Sequence, residues 1–451
     1  MLTDSDQQLS ADPRDLRVAV IADSDTRWKW GAATARRIAP GGSLGGYLLR
    51  GRATPTVRQL DEVGLRADFL REVTGPEFVR EAGRDRYDAV VLACVGGAVQ
   101  ALLHGLKYSW GEAESRPALV TGYVGVVYEK LADGLVLRHG ADVVLANSRH
   151  DAERFRAVYE GLGAASGAVT ECALPFLGGA PYQPAEDRPY TVVFAVQPSV
   201  PDTRGDRLHL LGRAAEHARR HPDREVLIKL RSRPGEHTTH IEELPYQRLA
   251  AKLPGGLPAN CRLAYGHMGE VLDRTDLLVT VSSTAALEAL HRGIPTAILT
   301  DLGVREVLGN HHFLGSGLLA SWDDLDAGRV PEPDKEWVRG QGVTPGATDA
   351  EYERAFDAAR DRVAELAARD SLPPLAPYYT PSSAPGYVPK LLARYGFGPD
   401  GAPLPGAFAA PAESESALRR ASRDLVRKAA RGAYRGGVQR VAPLIRRMGA
   451  L

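Results

Sequence analysis

Twice along this chain, short apolar runs alternate with helix-like stretches, and that rhythm limits the possible folds more than any other feature. In the first half the runs fall at 17–22, 89–94, 118–122 and 143–146, each closing on or leading into Asp, Gly, Asn or Ser. Parallel strands covered by helices on both faces read as continuous apolar runs punctuated in this way. A helix is expected from Ala152 onward, with Ser148 as its N-cap, and the short run 172–176 closes the half. After a stretch rich in Gly, Pro and charge at 178–188, the rhythm restarts with runs at 191–196, 226–230, 277–281 and 296–299 and a helix over 206–220. Two such blocks predict two doubly wound α/β domains, whose ligands sit beyond the carboxyl ends of the strands. The expected organisation is a first domain over 15–180, a second over 188–330, a helical return segment over 345–395, a linker over 396–416 and a basic tail over 417–451.

A chain of 451 residues has room for two such cores. Its formal net charge is zero, but the charge is unevenly spread: 417–451 hold ten Arg or Lys against the single acid Asp424, leaving the remainder acidic. An acidic body argues against a nucleic-acid surface, and a basic end predicts an anionic partner. The tail places Leu418, Leu425, Val426, Val438 and Val441 largely on one helical face among its arginines, a pattern suited to the interface of an anionic bilayer. A solvated basic end is the alternative. Cys94, Cys172 and Cys261 stand far apart in apolar runs and read as core residues. With a polar, acidic N-terminus and no apolar run long enough to span a bilayer, the expected location is cytoplasmic, peripheral on the inner face of the membrane.

Three segments carry chemistry. In 276–295 a strand runs into Ser282, Ser283 and Thr284 and then into a helix bearing Glu288, closed by Gly293 and Pro295. Such a helix start offers amide and hydroxyl groups to an anion, and Glu288 stands where it could reach ribose; an N-capping Ser with an incidental acid would look alike. Lys229 lies in the run at 226–230 and Arg231 and Arg233 follow it, with His237 and His240 further on; guanidinium groups can grip a diphosphate. A solvated basic loop is the bland alternative. The third segment, 23–31, follows the first strand and holds Asp23, Asp25, Trp28 and Trp30. A capping Asp and an interface Trp are the bland reading of these residues. Gly122 ends the run at 118–122, and Tyr123 and Glu129 come from the loop after it.

The pattern Ser282-Ser283-Thr284-Ala285, Glu288-Ala289, Gly293 and Pro295 resembles the donor-binding signature of GT-B glycosyltransferases. It is closest to the bacterial capsule and cell-wall polymer branch of polysialyltransferase-like and CDP-glycerol transferase-like enzymes. Residues 310–317 resemble the stretch that follows it there, and the likeness to bacterial putative glycosyltransferases spans about 16–320. The resemblance implies two Rossmann-like domains facing a central cleft, hydroxyls on the donor phosphate and Glu288 on ribose. With the acceptor facing the first domain, it makes Asp25 and Asp23 candidate general bases with Glu129 as the alternative, Trp28 and Trp30 sugar-stacking platforms, and Gly122 and Tyr123 lining of the acceptor side. Relatives of that branch have a Lys-x-His-Pro pattern where this chain has Lys229, Arg231, Arg233 and Pro234, which shifts the expected donor from a CMP-sugar to a nucleoside diphosphate sugar. The expectation is therefore an inverting, metal-independent transferase acting on a cell-surface polysaccharide, a cell-wall polymer or a lipid-linked acceptor. No cofactor is expected beyond the nucleotide-sugar co-substrate. A non-catalytic nucleotide-binding scaffold and a sugar-nucleotide epimerase of the same fold are the alternatives.

Overall fold

The apolar runs form two all-parallel sheets. The computed structural model describes residues 15–51, 53–111, 115–125, 130–233 and 244–407. The first sheet holds β1 (Val18–Ala22), β2 (Leu44–Leu49), β3 (Phe69–Val73), β4 (Ala89–Ala93), β5 (Ala118–Gly122), β6 (Val143–Ala146) and β7 (Val169–Glu171), in the order β3-β2-β1-β4-β5-β6-β7. The second holds β8 (Tyr190–Ala195), β9 (Arg224–Lys229), β10 (Cys261–Ala264), β11 (Leu277–Thr280), β12 (Thr296–Leu299) and β13 (Leu319–Ala320), in the order β10-β9-β8-β11-β12-β13. In each sheet the strand order reverses beside the first strand of the block. That switch opens a crevice at the carboxyl ends. The two crevices face each other, so the molecule is the expected pair of Rossmann-like domains around a central cleft, the GT-B arrangement.

Strands buried on both faces were legible as apolar runs; β1, β4, β5 and β6 are buried throughout. Central β2 was not, because its Gly45-Gly46 pair looks like a turn. Side chains that cross the strand demand those glycines. A Cβ at Gly46 would lie 2.8 Å from Cη2 of Trp28, and one at Gly45 2.7 Å from the Tyr87 hydroxyl. The run at 172–176 is a buried connection rather than a strand, with β7 just before it. The helix capped by Ser148 spans Arg149–Gly161, the Ser148 hydroxyl accepting from the Asp151 amide as expected.

Helix Asp25–Ile38, capped by Ser24, lies across β1 and β4. Gly31 permits this approach, since a Cβ there would lie 2.7 Å from both the Ala93 Cβ and the Val20 Cγ1. Gly31→Ala is expected to cost about 1–3 kcal/mol through overpacking, read as a lower urea midpoint; an unchanged midpoint would mean that the helix can lift off the sheet.

The chain crosses between domains at 178–188, where Arg292 donates to the Gly178 carbonyl and Tyr182 and Arg188 bond Asp276. It returns through helices Asp349–Arg354 and Asp357–Ala367, with Arg37 paired to Glu353 across the first domain. Residues 396–407, expected as linker, are instead seated on the first domain: Phe397 is fully buried in its core, where it lies close enough to Gly75 and Gly105 to exclude a Cβ. The tail at 417–451 lies outside the described residues. Among the described residues no helix is long and apolar enough to cross a membrane.

Candidate functional site

Loops at the carboxyl ends of both sheets enclose one cavity of about 1270 Å³. The first domain contributes Asp25, Thr26 and Lys29 after β1, Val95 and Gly96 after β4, and Tyr123 to Gly125 after β5. Gln197 after β8, Lys229 to Arg231 from β9 onward, Gly266 to Met268 after β10, Ser282 to Ala285 after β11 and His311 after β12 come from the second. The hydroxyl-bearing turn thus opens onto a cleft between two lobes.

Within that turn most donors are already engaged. The Ser282 amide donates to Oε1 of Gln197 (3.1 Å) and its hydroxyl to the Leu308 carbonyl (2.6 Å), while the Ser283 amide donates to the Thr280 hydroxyl (3.2 Å). Ser283 Oγ in turn accepts from the Ala285 amide (3.2 Å). Thr284, the N-cap of helix Ala285–Arg292, makes no side-chain capping bond. The Thr284 hydroxyl and the O–H of Ser283, whose oxygen only accepts, are left to donate to a ligand, with Ser282 shaping the loop behind them. Gly125 faces Thr284 from the other domain, where a Cβ would lie 3.1 Å from Thr284 Oγ1.

Lys229 is buried at the end of β9, its ammonium donating to the Leu230 carbonyl (2.7 Å). Burial pulls its pKa down to about 8 and Arg231 and Arg58 pull the same way, against the nearby carboxylates of Glu62 and Glu288. Arg231 crosses the cleft to bond Asp25 (3.0 Å) and Thr26. One turn further along the same helix, Lys29 pairs with Glu288 (3.4 Å) with its ammonium 4.3 Å above the Phe176 ring. Two ion pairs therefore join one helix of the first domain to the second, using the side chains expected for phosphate and ribose. Burial also lowers the pKa of His267, with Lys29 adding to the effect.

Several expected site residues have other work. Trp28 and Trp30 are buried in the core, so neither offers a ring face to a sugar. The Trp28 indole donates to the Leu65 carbonyl, and that of Trp30 to Asn147, whose amide holds the Tyr123 and Gly125 carbonyls. Asp23 does not line the cavity: it accepts from the Val95 amide (2.9 Å) and pairs with Arg27 (3.1 Å), tying the β1 loop to the β4 loop. Off the cavity wall it is not placed to meet an acceptor, which corrects its reading as a base. Arg233 is exposed beside the Tyr265 ring and does not line the cavity. Gly122 ends β5 against Trp30, leaving Tyr123 on the wall. Glu129 and His237 lie outside the described residues.

Lys29, Glu62, His267, Tyr379 and Tyr387 also line the cavity, and sequence reasoning missed them. For Lys29 a signal existed, its i,i+4 spacing from Asp25; the others arrive from segments with no recognisable pattern. Among the described residues His217, His221 and Asp326 come within metal-binding distance of one another. None of them lines the cavity, and Asp326 is already engaged by His217, Arg213 and Arg220.

No curated protein sequence matches the chain. Among solved structures it is similar to a "putative UDP-N-acetylglucosamine 2-epimerase from Listeria monocytogenes" at 11% identity and a TM-score of 0.45, covering 81% of this chain and 93% of that one. It is also similar to a UDP-glucosyltransferase from Polygonum tinctorium (13%, TM-score 0.43, 78% and 93% covered). A third is Arabidopsis thaliana UGT89C1 complexed with UDP-L-rhamnose (9%, TM-score 0.46, 79% and 100% covered). A family model described as "Putative glycosyltransferase (DUF6716)" matches residues 18–359.

Proposed function

The chain belongs to the family described as "Putative glycosyltransferase (DUF6716)", and from that premise we propose that it moves a sugar from a nucleoside diphosphate donor to an acceptor hydroxyl, with inversion and without a metal. One observation carries the reading: Thr284, Lys229, Arg231 and Asp25 line a single cavity between two lobes. At about 1270 Å³ it exceeds the roughly 300–1,000 Å³ of a site for one small ligand, which favours two substrates over one.

In this reading the donor diphosphate lies between Thr284 at the helix N-terminus and the cations Lys229 and Arg231. Their charge meets the negative charge that develops as the bond from the anomeric carbon to the phosphate oxygen breaks, the role a metal fills elsewhere. Binding draws Arg231 from Asp25 to the phosphate. The freed carboxylate then takes the proton of the acceptor hydroxyl as its oxygen forms the new glycosidic bond. Glu288, released in the same way from Lys29, holds the ribose. Arg231 in place of the relatives' His supports a diphosphate over CMP. The signature at 282–295 supports a place in the capsule and cell-wall polymer branch, with a cell-surface or lipid-linked acceptor. The basic composition of 417–451 supports attachment to the anionic inner face of the membrane.

Thermal-shift titration with UDP, GDP, CDP and CMP tests the donor class. A nucleotide at about 100 times its dissociation constant is expected to stabilise the protein by about 2.7 kcal/mol, the diphosphates exceeding CMP and EDTA changing neither binding nor turnover. No stabilisation by any nucleotide overturns the reading, and a preference for CMP overturns the donor class. Release of an isomerised sugar without an acceptor would identify an epimerase; binding without turnover would identify a scaffold.

A further inference from the structure

The part of the cavity lining that stands on the first domain and on the chain packed against it has a different chemistry. Its wall is built from Tyr123, Val136 and Leu137 of the first domain and from Tyr379, Ala384 and Tyr387 of the returning chain. The Tyr379 and Tyr387 rings stand edge to face, with centroids 6.0 Å apart. This returning stretch is fastened to the first domain through its backbone. Arg116 donates to the Pro373 carbonyl (3.0 Å from Nε), while the amide of Gln100 (3.0 Å) and the ring of His104 (2.9 Å) meet the Tyr379 carbonyl. These bonds hold the backbone of Tyr379 beside the cavity, and Tyr387 is 45% exposed.

Both returning tyrosines come after residue 359, where the family match ends. Their wall belongs to the first domain, whereas Lys229 and Thr284 belong to the second, so it is placed to meet the second substrate. Recognition of a bare oligosaccharide needs a dense set of free hydrogen-bonding side chains. Among the described residues the charged lining groups of the stretch 123–138 are Lys130, Asp133 and Arg138. The Arg138 guanidinium is spent on the carbonyls of Gly122, Gly134 and Cys94, beneath the Tyr123 ring. Lys130 and Asp133 stay exposed; beside them the wall is aromatic and aliphatic, and it gains most by covering apolar surface.

We infer that this tyrosine wall binds an amphiphilic acceptor, one whose reacting hydroxyl is joined to an apolar body, and not a free oligosaccharide. The inference rests on the glycosyltransferase reading and names the acceptor class within it. The hydroxyl would face Asp25 and the donor, and the apolar body would lie against Tyr379 and Tyr387.

Octyl glucoside below its micelle concentration, glucose and maltotriose are the probes, titrated into the full chain by calorimetry, with UDP titrated in parallel. Octyl glucoside is expected to bind, and glucose and maltotriose to bind far more weakly. Tyr387→Ala should weaken octyl glucoside about tenfold, as loss of an aromatic contact does; Tyr387→Phe should retain it, and UDP affinity should not change in either. Maltotriose binding as tightly as octyl glucoside, no binding of octyl glucoside, or an unaltered Tyr387→Ala variant each overturns the inference. Failure of UDP to bind the wild-type chain is a separate result, which removes the donor reading whatever the octyl glucoside arm shows.

Discussion

Lys229→Met is expected to lower turnover about 10²–10³-fold, the loss seen when one preorganised group that stabilises developing negative charge is removed, and at the same time to raise the stability of the ligand-free protein at neutral pH. Both effects come from one cause. The ammonium is held in a buried position where its charge is poorly solvated, which is why its pKa falls from 10.5 to about 8. Below pH 8 the folded protein carries this buried charge in full. Between pH 8 and 10.5 the folded state has shed a proton that the unfolded chain still holds, so the contribution of Lys229 to stability rises with pH across that window. Methionine has a similar length and no charge to desolvate. Urea melts at pH 7 and pH 9.5 check the sign: the stability advantage of the variant should shrink at the higher pH. A bound diphosphate supplies the missing counter-charge and pushes the pKa back up, so UDP binding near pH 8 should take up a proton, visible as a dependence of the calorimetric enthalpy on buffer. Full turnover in the variant, or a lower melting temperature at pH 7, would overturn this role.

What could be read in advance follows physical lines. Interior parallel strands such as β4 and β11 announce themselves because both of their faces are apolar. Edge strands do not: β3 carries Arg71 and Glu72 on a largely exposed ribbon, and β10 pairs on one side alone. Gly45 and Gly46 misled for a third reason, since their lack of side chains serves Trp28 and Tyr87, which are distant in sequence. At the site, motifs that sit directly after a strand were found, since a parallel sheet delivers every such loop to the same end. Which atoms of a motif remain free was not legible. Ser282 looks like a ligand group until Gln197 and Leu308 are seen to engage its amide and hydroxyl, and the Ser283 amide is likewise taken by Thr280. Tryptophans after a first strand likewise suggest sugar stacking, but the helix that carries Trp28 and Trp30 turns both rings into the core. Tyr379 and Tyr387 depend on a long return of the chain, and no local pattern encodes where such a return docks.

Asp25→Asn should separate the two parts that the cleft asks of this carboxylate. As the base it must accept the acceptor's proton, and its loss is expected to lower kcat about 10²–10⁴-fold. As the partner of Arg231, 3.0 Å away, it would in the proposed reaction hold that guanidinium away from the phosphate until the donor arrives. Asparagine keeps the shape and weakens the attraction, so Arg231 becomes more available and the donor should bind as tightly as before or more tightly. The expected signature is thus a collapse of kcat with no rise in the donor KM, accompanied by undiminished UDP affinity in calorimetry. A rise in donor KM with kcat preserved would instead make Asp25 a positioning residue for Arg231. Turnover within a few-fold of wild type would remove it from the chemistry, and Glu129→Gln, made in parallel, would then be the variant expected to lose kcat. A base is needed in either case, because an acceptor hydroxyl that keeps its proton is a poor nucleophile towards the anomeric carbon.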